Sequence, residues 1–295
     1  MGFCSAMTLA FATIFSLVSI ALLAIAFATD NWVTISVKRE QLKELDEFAE
    51  SSLVNESPLY FTRTRGLFRE CFPGEKSEDP EKTSAPLGDL VELYMSPVET
   101  YCRNLDYYIP DEGRSKELTG EEMVRIHMGR AMIALFIVGF FFICVSFIAG
   151  ARGCWKTSPT NITASAVLML VACMFSAAGM GLWHGVEHWE MNKINVETNT
   201  ELFVKSWPEK LREKTEFKYD WSYIVSWIGV GLELLSAILF SLAAVCIRTD
   251  KEREEAMNMQ YLMPVYQQKQ HQQQYGPYGY AAYPGPYYGS QYGPY

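Results

Sequence analysis

The chain has 295 residues, is 49% hydrophobic and carries a formal net charge of −9. Such an acidic balance repels nucleic acid and other polyanions. Its apolar residues are not spread out: four runs, at 3–29, 131–149, 162–183 and 222–247, alternate with strongly polar stretches, which speaks against a water-soluble fold.

Each run holds about 19 to 27 residues, enough for a helix to cross a hydrocarbon layer of roughly 30 Å. The predicted spans are about 7–29, 129–150, 162–184 and 222–247, giving an all-α membrane four-helix bundle. Ala26-Phe27-Ala28 resembles a signal-peptidase site, but the stretch is long for a signal core and no Lys or Arg precedes it, so it is read as a retained span. The short turn between the second and third spans carries Arg152 and Lys156 without acidic neighbours, which marks it as cytosolic. Alternation then puts residues 30–128 and 185–221 outside and both termini in the cytoplasm of a multi-pass plasma-membrane protein.

In chain order, residues 31–37 are β-branched and aromatic and predict a strand leaving the membrane. A short amphipathic helix is expected over 40–53, followed by a glycosylation acceptor at Asn55-Glu56-Ser57. Strand-like segments follow at 59–72, 90–94 and 98–105, interrupted by an exposed excursion rich in Pro, Glu, Lys and Ser over 73–86. Residues 31–126 hold 20 acidic and 12 basic side chains, so the outer face is acidic and suits cationic or basic partners, or is ordinary solubilising surface.

Of seven cysteines only Cys71 and Cys102 fall in the predicted external space. Pairing them closes a loop of roughly 30 residues, worth about 3–4 kcal/mol on the chain-entropy view, the alternative being two free thiols.

No catalytic or cofactor constellation is present. His184 and His188 flank Glu187 at the outer end of the third span, with Glu190 nearby, but the order of residues is not that of a zinc protease, and a polar helix terminus explains them better than a metal site. Glu233 is the one acidic residue inside an apolar run. It is costly there unless it turns into the bundle, with Ser176, Ser226 and Ser236 as candidate company; the other readings are partner contact or ion conduction. Small residues at Gly179, Gly181, Gly229 and Gly231 permit close helix contact. Residues 248–295 turn Gln-, Pro-, Gly- and Tyr-rich, with repeats such as Tyr275-Gly276-Pro277-Tyr278 and Tyr292-Gly293-Pro294-Tyr295, and are expected to form a disordered cytoplasmic tail. Such a tail suits a cytoplasmic scaffold or cytoskeletal adaptor.

Trp32 early in the first loop, Gly66-Leu67-Phe68, the pair Cys71 and Cys102, and Arg130 before the second span resemble the signature of the claudin superfamily, which includes peripheral myelin proteins and calcium-channel gamma subunits. Phe68 stands where the signature carries Trp, and 30 residues separate the cysteines, as in a divergent member of the channel-subunit or invertebrate claudin-like branch. The resemblance spans residues 1–247 as a claudin-like tetraspan domain. It implies a small extracellular antiparallel β-sheet domain over the bundle, mostly from the first loop with one strand from the second. It also implies a non-enzymatic protein that organises cell–cell contacts or junctions. Expected partners are membrane lipids and other membrane proteins in cis or trans. The alternative is an auxiliary, gamma-like subunit bound to a channel pore subunit or receptor.

Overall fold

The computed structural model describes residues 3–43, 57–72, 94–95, 101–108, 119–194 and 203–273. Among these the helices are α1 (Phe3–Ala28), α2 (Arg39–Lys43), α3 (Gly120–Lys156), α4 (Pro159–Asn192), α5 (Glu209–Glu213) and α6 (Trp221–Gln273). The strands are β1 (Val33–Val37), β2 (Arg63–Arg65), β3 (Arg69–Phe72), β4 (Tyr94–Met95), β5 (Tyr101–Asn104) and β6 (Thr215–Tyr219). α1, α3, α4 and α6 are long and apolar enough to cross a membrane.

Local chemistry sets the ends of these helices. Thr119 accepts a hydrogen bond from the Glu122 amide while the Glu122 carboxylate accepts one from the Thr119 amide, a reciprocal capping box that starts α3. At the far end Thr157 adopts a left-handed conformation (φ 46°), and Ser158 leads into Pro159 at the first turn of α4. This turn folds α3 and α4 into an antiparallel hairpin. Both helices outrun their expected spans: α3 starts at Gly120 and α4 ends at Asn192, so each projects toward the sheet.

Side-chain contacts close the four helices into a ring. Ser146 and Ser165 each donate a hydroxyl to the other's carbonyl between α3 and α4, at 2.8 and 2.7 Å. Ser19 donates to the Gly229 carbonyl and Ser236 to that of Ala12, which joins α1 to α6. Ser176 on α4 donates to Glu233 on α6, and Phe27 of α1 packs on Phe136 and Phe140 of α3. Interhelical bonds of this kind contribute about 0.6 kcal/mol each in a bilayer, so close packing of small residues matters as much. A side chain at Gly229 would collide with Leu23 at 2.7 Å. Gly181 and Gly231, in contrast, have nothing within 4 Å of where a Cβ would sit among the described residues.

β1 leaves the end of α1 and β6 returns into α6, and the two pair antiparallel from Val33↔Tyr219 to Val37↔Thr215. The full sheet runs β4-β5-β3-β2-β1-β6, five strands from the first loop and one from the second. Residues 59–72, expected to be strand-like, divide into a short 3-10 turn at Pro58–Tyr60 and the β2–β3 hairpin. The helix expected over 40–53 is described only as α2, and the rest of that segment lies outside the described residues.

The chain divides into units at 1–247 and 248–295. The tail expectation needs correction, because α6 continues as helix to Gln273. Residues 248–263 contain no Gly or Pro and are rich in Arg, Lys, Glu, Gln and Met, so a helix already nucleated in the span propagates through them.

Candidate functional site at the junction of sheet and bundle

The signature residues converge where the sheet meets the helices. Trp32 is buried, donates its indole N–H to the Ala26 carbonyl at 2.8 Å, and packs against Phe136 and Trp183. Gly66 opens the β2–β3 turn, its amide bonding the Arg69 carbonyl at 2.8 Å. A Cβ there would lie 2.6 Å from the Asp30 Cα, so only glycine lets this turn sit on the chain leaving α1. Leu67 is buried, and Phe68 presents an edge to Phe27 at 5.0 Å.

Tyr107, which the sequence reading did not single out, joins these parts. Its hydroxyl donates to the Leu67 carbonyl at 2.6 Å, and its own carbonyl accepts from Arg130 Nε at 2.7 Å. Burial raises its phenol pKa. Arg130 thus ties the top of α3 to the segment after β5. Cys71 and Cys102 are bonded as a disulfide between directly opposed residues of β3 and β5.

A second set of residues was also missed, apart from Glu190, which the sequence reading placed with the histidines. Glu70 on β3 is fully buried and receives three guanidinium groups: Arg63 Nε at 2.7 Å, Arg65 Nη2 at 3.2 Å and Arg103 Nη2 at 2.5 Å. Arg65 reaches Glu190 at the end of α4 at 2.6 Å, and Arg125 of α3 reaches the other oxygen of Glu190. Arg63 also donates to the carbonyls of Pro58, Leu59 and Phe61. Burial on its own would raise the Glu70 pKa, but Arg65, Arg63 and Arg103 overcome it and hold the carboxyl well below the ordinary range. For Arg65 burial is likewise outweighed, by Glu190 and Glu70, so it stays charged.

Beside this network lies a cavity of about 60 Å³, walled by Val33, Ile35, Leu67, Met132 and Trp183 with Arg65 and Glu190 at one side. It has room for a few waters on the scale of about 10–15 Å³ each. The arrangement is suited to holding the sheet in one orientation on the bundle.

Compared with protein-family models, residues 17–242 match the family described as PMP-22/EMP/MP20/Claudin tight junction. The chain belongs to this claudin family. No curated protein, taken individually, matches it. The family consists of non-enzymatic structural and adhesion proteins, and this member is a multi-pass membrane protein.

In this claudin-family chain Glu233 is buried inside the bundle and accepts from Ser176 at 3.2 Å. The side chain points into the bundle, toward α4. Of the other serines named for it, Ser236 bonds Ala12 instead. Of the histidine cluster only His184 and Glu187 meet, with His184 Nδ1 3.5 Å from the Glu187 carboxylate. His184 meets the Tyr223 hydroxyl at 3.2 Å, Glu187 accepts from Tyr219, His188 pairs with Asn192, and Glu190 is held by the arginines. Asn55 and the tyrosines Tyr275, Tyr278, Tyr292 and Tyr295 lie outside the described residues.

Proposed function

We propose that this claudin-family protein organises contacts at the plasma membrane, with its sheet outside, both termini in the cytoplasm, and its tail linking the contact to a cytoplasmic scaffold or cytoskeletal adaptor. The observation that carries the reading is the Arg65–Glu190–Arg125 chain of ion pairs, which fastens the sheet to α3 and α4. A sheet so fastened keeps a fixed orientation when another protein binds it in cis or trans. Arg152 and Lys156 lie at the end of the bundle opposite the sheet, and Arg248, Lys251 and Arg253 follow the fourth apolar run, which supports a cytosolic placement of that end. Asn55 is proposed to carry a glycan, and the tail tyrosines to contact adaptors.

The test is localisation of a tagged chain in cells that form contacts, paired with purification of its partners. Enrichment at cell borders supports the reading. A uniform membrane signal, with co-purification of a channel pore subunit, overturns it in favour of the auxiliary-subunit role.

A further inference from the structure

The six-stranded sheet has two edges of different character. One is β4, only two residues long; the other is β6, with five residues, Thr215-Glu216-Phe217-Lys218-Tyr219. Hydrogen bonds fix which groups of β6 face outward. Val37 directs both its amide and its carbonyl to Thr62 on the β2 side, while Lys38 donates to the Lys214 carbonyl and Asp220 to that of Trp32. Odd-numbered residues of β1 therefore address β2 and even-numbered ones address β6. By the antiparallel register, Glu216 and Lys218 spend their backbone groups on β1, and Thr215, Phe217 and Tyr219 turn theirs to the open edge. Among the described residues nothing bonds them there.

Sheet edges of this length are usually blunted by proline, a bulge, an inward charge or charged side chains along the edge, and of these β6 has only the last, in a pattern that a second copy can complement. β6 has no Pro or Gly, and the half-buried Glu216, paired within the chain to Lys38 and Lys218, and the exposed Lys218 lie on the face away from Trp207, which stacks on Phe217. The strand is moreover complementary to itself. Turned antiparallel against a second copy with Phe217 opposite Phe217, it sets Thr215 against Tyr219 and Glu216 against Lys218 on both sides of a two-fold axis. The outward-facing residues fall into the hydrogen-bonded pairs, and the charges into the close non-hydrogen-bonded pairs, about 4.5 Å apart at Cα.

We infer that the free edge of β6 pairs antiparallel with β6 of a second copy of this chain, joining two six-stranded sheets into one. Main-chain bonds supply the attachment, as in strand addition generally, and the reciprocal Glu216–Lys218 contacts set the register. The inference names a partner for the contact function proposed above and draws its biological use from that reading, but the pairing stands on the strand alone.

The experiment uses the full chain carrying two different tags, expressed together in one cell population and separately in two mixed populations. Glu216→Lys puts Lys against Lys, and Lys218→Glu puts Glu against Glu, so each variant alone should lose co-precipitation of the two tags on the order of tenfold. Glu216→Lys expressed with Lys218→Glu restores opposite charges at every position and should recover wild-type association, although each copy still carries its own disturbed intrachain contacts. In a second measurement, Glu216→Cys on one tag and Lys218→Cys on the other should form an interchain disulfide in at least one of the two cell arrangements. Failure of the mixed pair to recover association, or absence of the crosslink in both arrangements, overturns the pairing. Border enrichment without β6 pairing would leave the contact function standing, and β6 pairing without border enrichment would do the reverse.

Discussion

Arg65 on β2 and Glu190 at the end of α4, 125 residues apart in the chain, meet at 2.6 Å. Because Glu190 is also held by Arg125 of α3, and Arg65 by the buried Glu70, this one contact couples strand hairpin, third helix and fourth helix into a single charged chain. Removing one member leaves its partners buried with uncompensated charge, which is costlier than losing a surface pair.

Glu190→Gln and Arg65→Met should therefore each lower the stability of the sheet–bundle junction by about 3–5 kcal/mol. The double variant should fall well short of the sum, because both changes break the same contact. Thermal unfolding of the three proteins in detergent checks this. Full additivity would show that the two residues act separately.

The acid response should centre on Glu70. Its carboxyl pKa is depressed in the folded protein, since three guanidiniums outweigh burial. A depressed carboxyl contributes stability that is complete above the unfolded value of about 4.3 and is lost as pH falls through the lower folded value. Stability of the sheet should thus be insensitive to this group from neutral pH down to about 4.5, then decline further into acid. Glu70→Gln should be less stable at neutrality and should show a weaker acid decline. An unchanged acid profile in that variant would remove Glu70 from the account.

The disulfide should act through maturation. Cys71 and Cys102 join β3 to β5, and losing a bridge worth about 3–4 kcal/mol consumes much of a small domain's stability. Cys71→Ser, Cys102→Ser and the double variant should all be synthesised and inserted, yet be retained in the secretory pathway to similar degrees. Surface biotinylation measures this. Wild-type surface levels in all three would show that the bridge is dispensable.

Topology is open to a direct check. Tags inserted at residue 78 and after residue 295 should be protected differently from added protease, the first reached from outside intact cells and the second only after permeabilisation. Both tags reached on the same side would contradict four crossings.

The frame of this protein is legible in its amino-acid order. Four apolar runs of membrane-spanning length, a strand pattern at 31–37 and two cysteines in one compartment needed only hydropathy and period to be read, because a bilayer punishes polar residues and the pleat repeats every second residue. α1, β1 and the Cys71–Cys102 bond follow from these local signals. Composition marked residues 248–295 as disordered, whereas the helix of the last span continues to Gln273, entering through residues 248–263 that hold no Gly or Pro. Which charges are buried emerges only from long-range packing. Glu70, Arg63, Arg65, Arg125 and Glu190 look like ordinary members of a solvated acidic loop or a polar helix end. They become one network because the register of β2 against β3 and the overrun of α3 and α4 bring distant residues into the same largely buried space. Charge carries no periodic signature along a chain, and its meaning depends on what excludes water from it, which is settled only when the sheet closes onto the bundle.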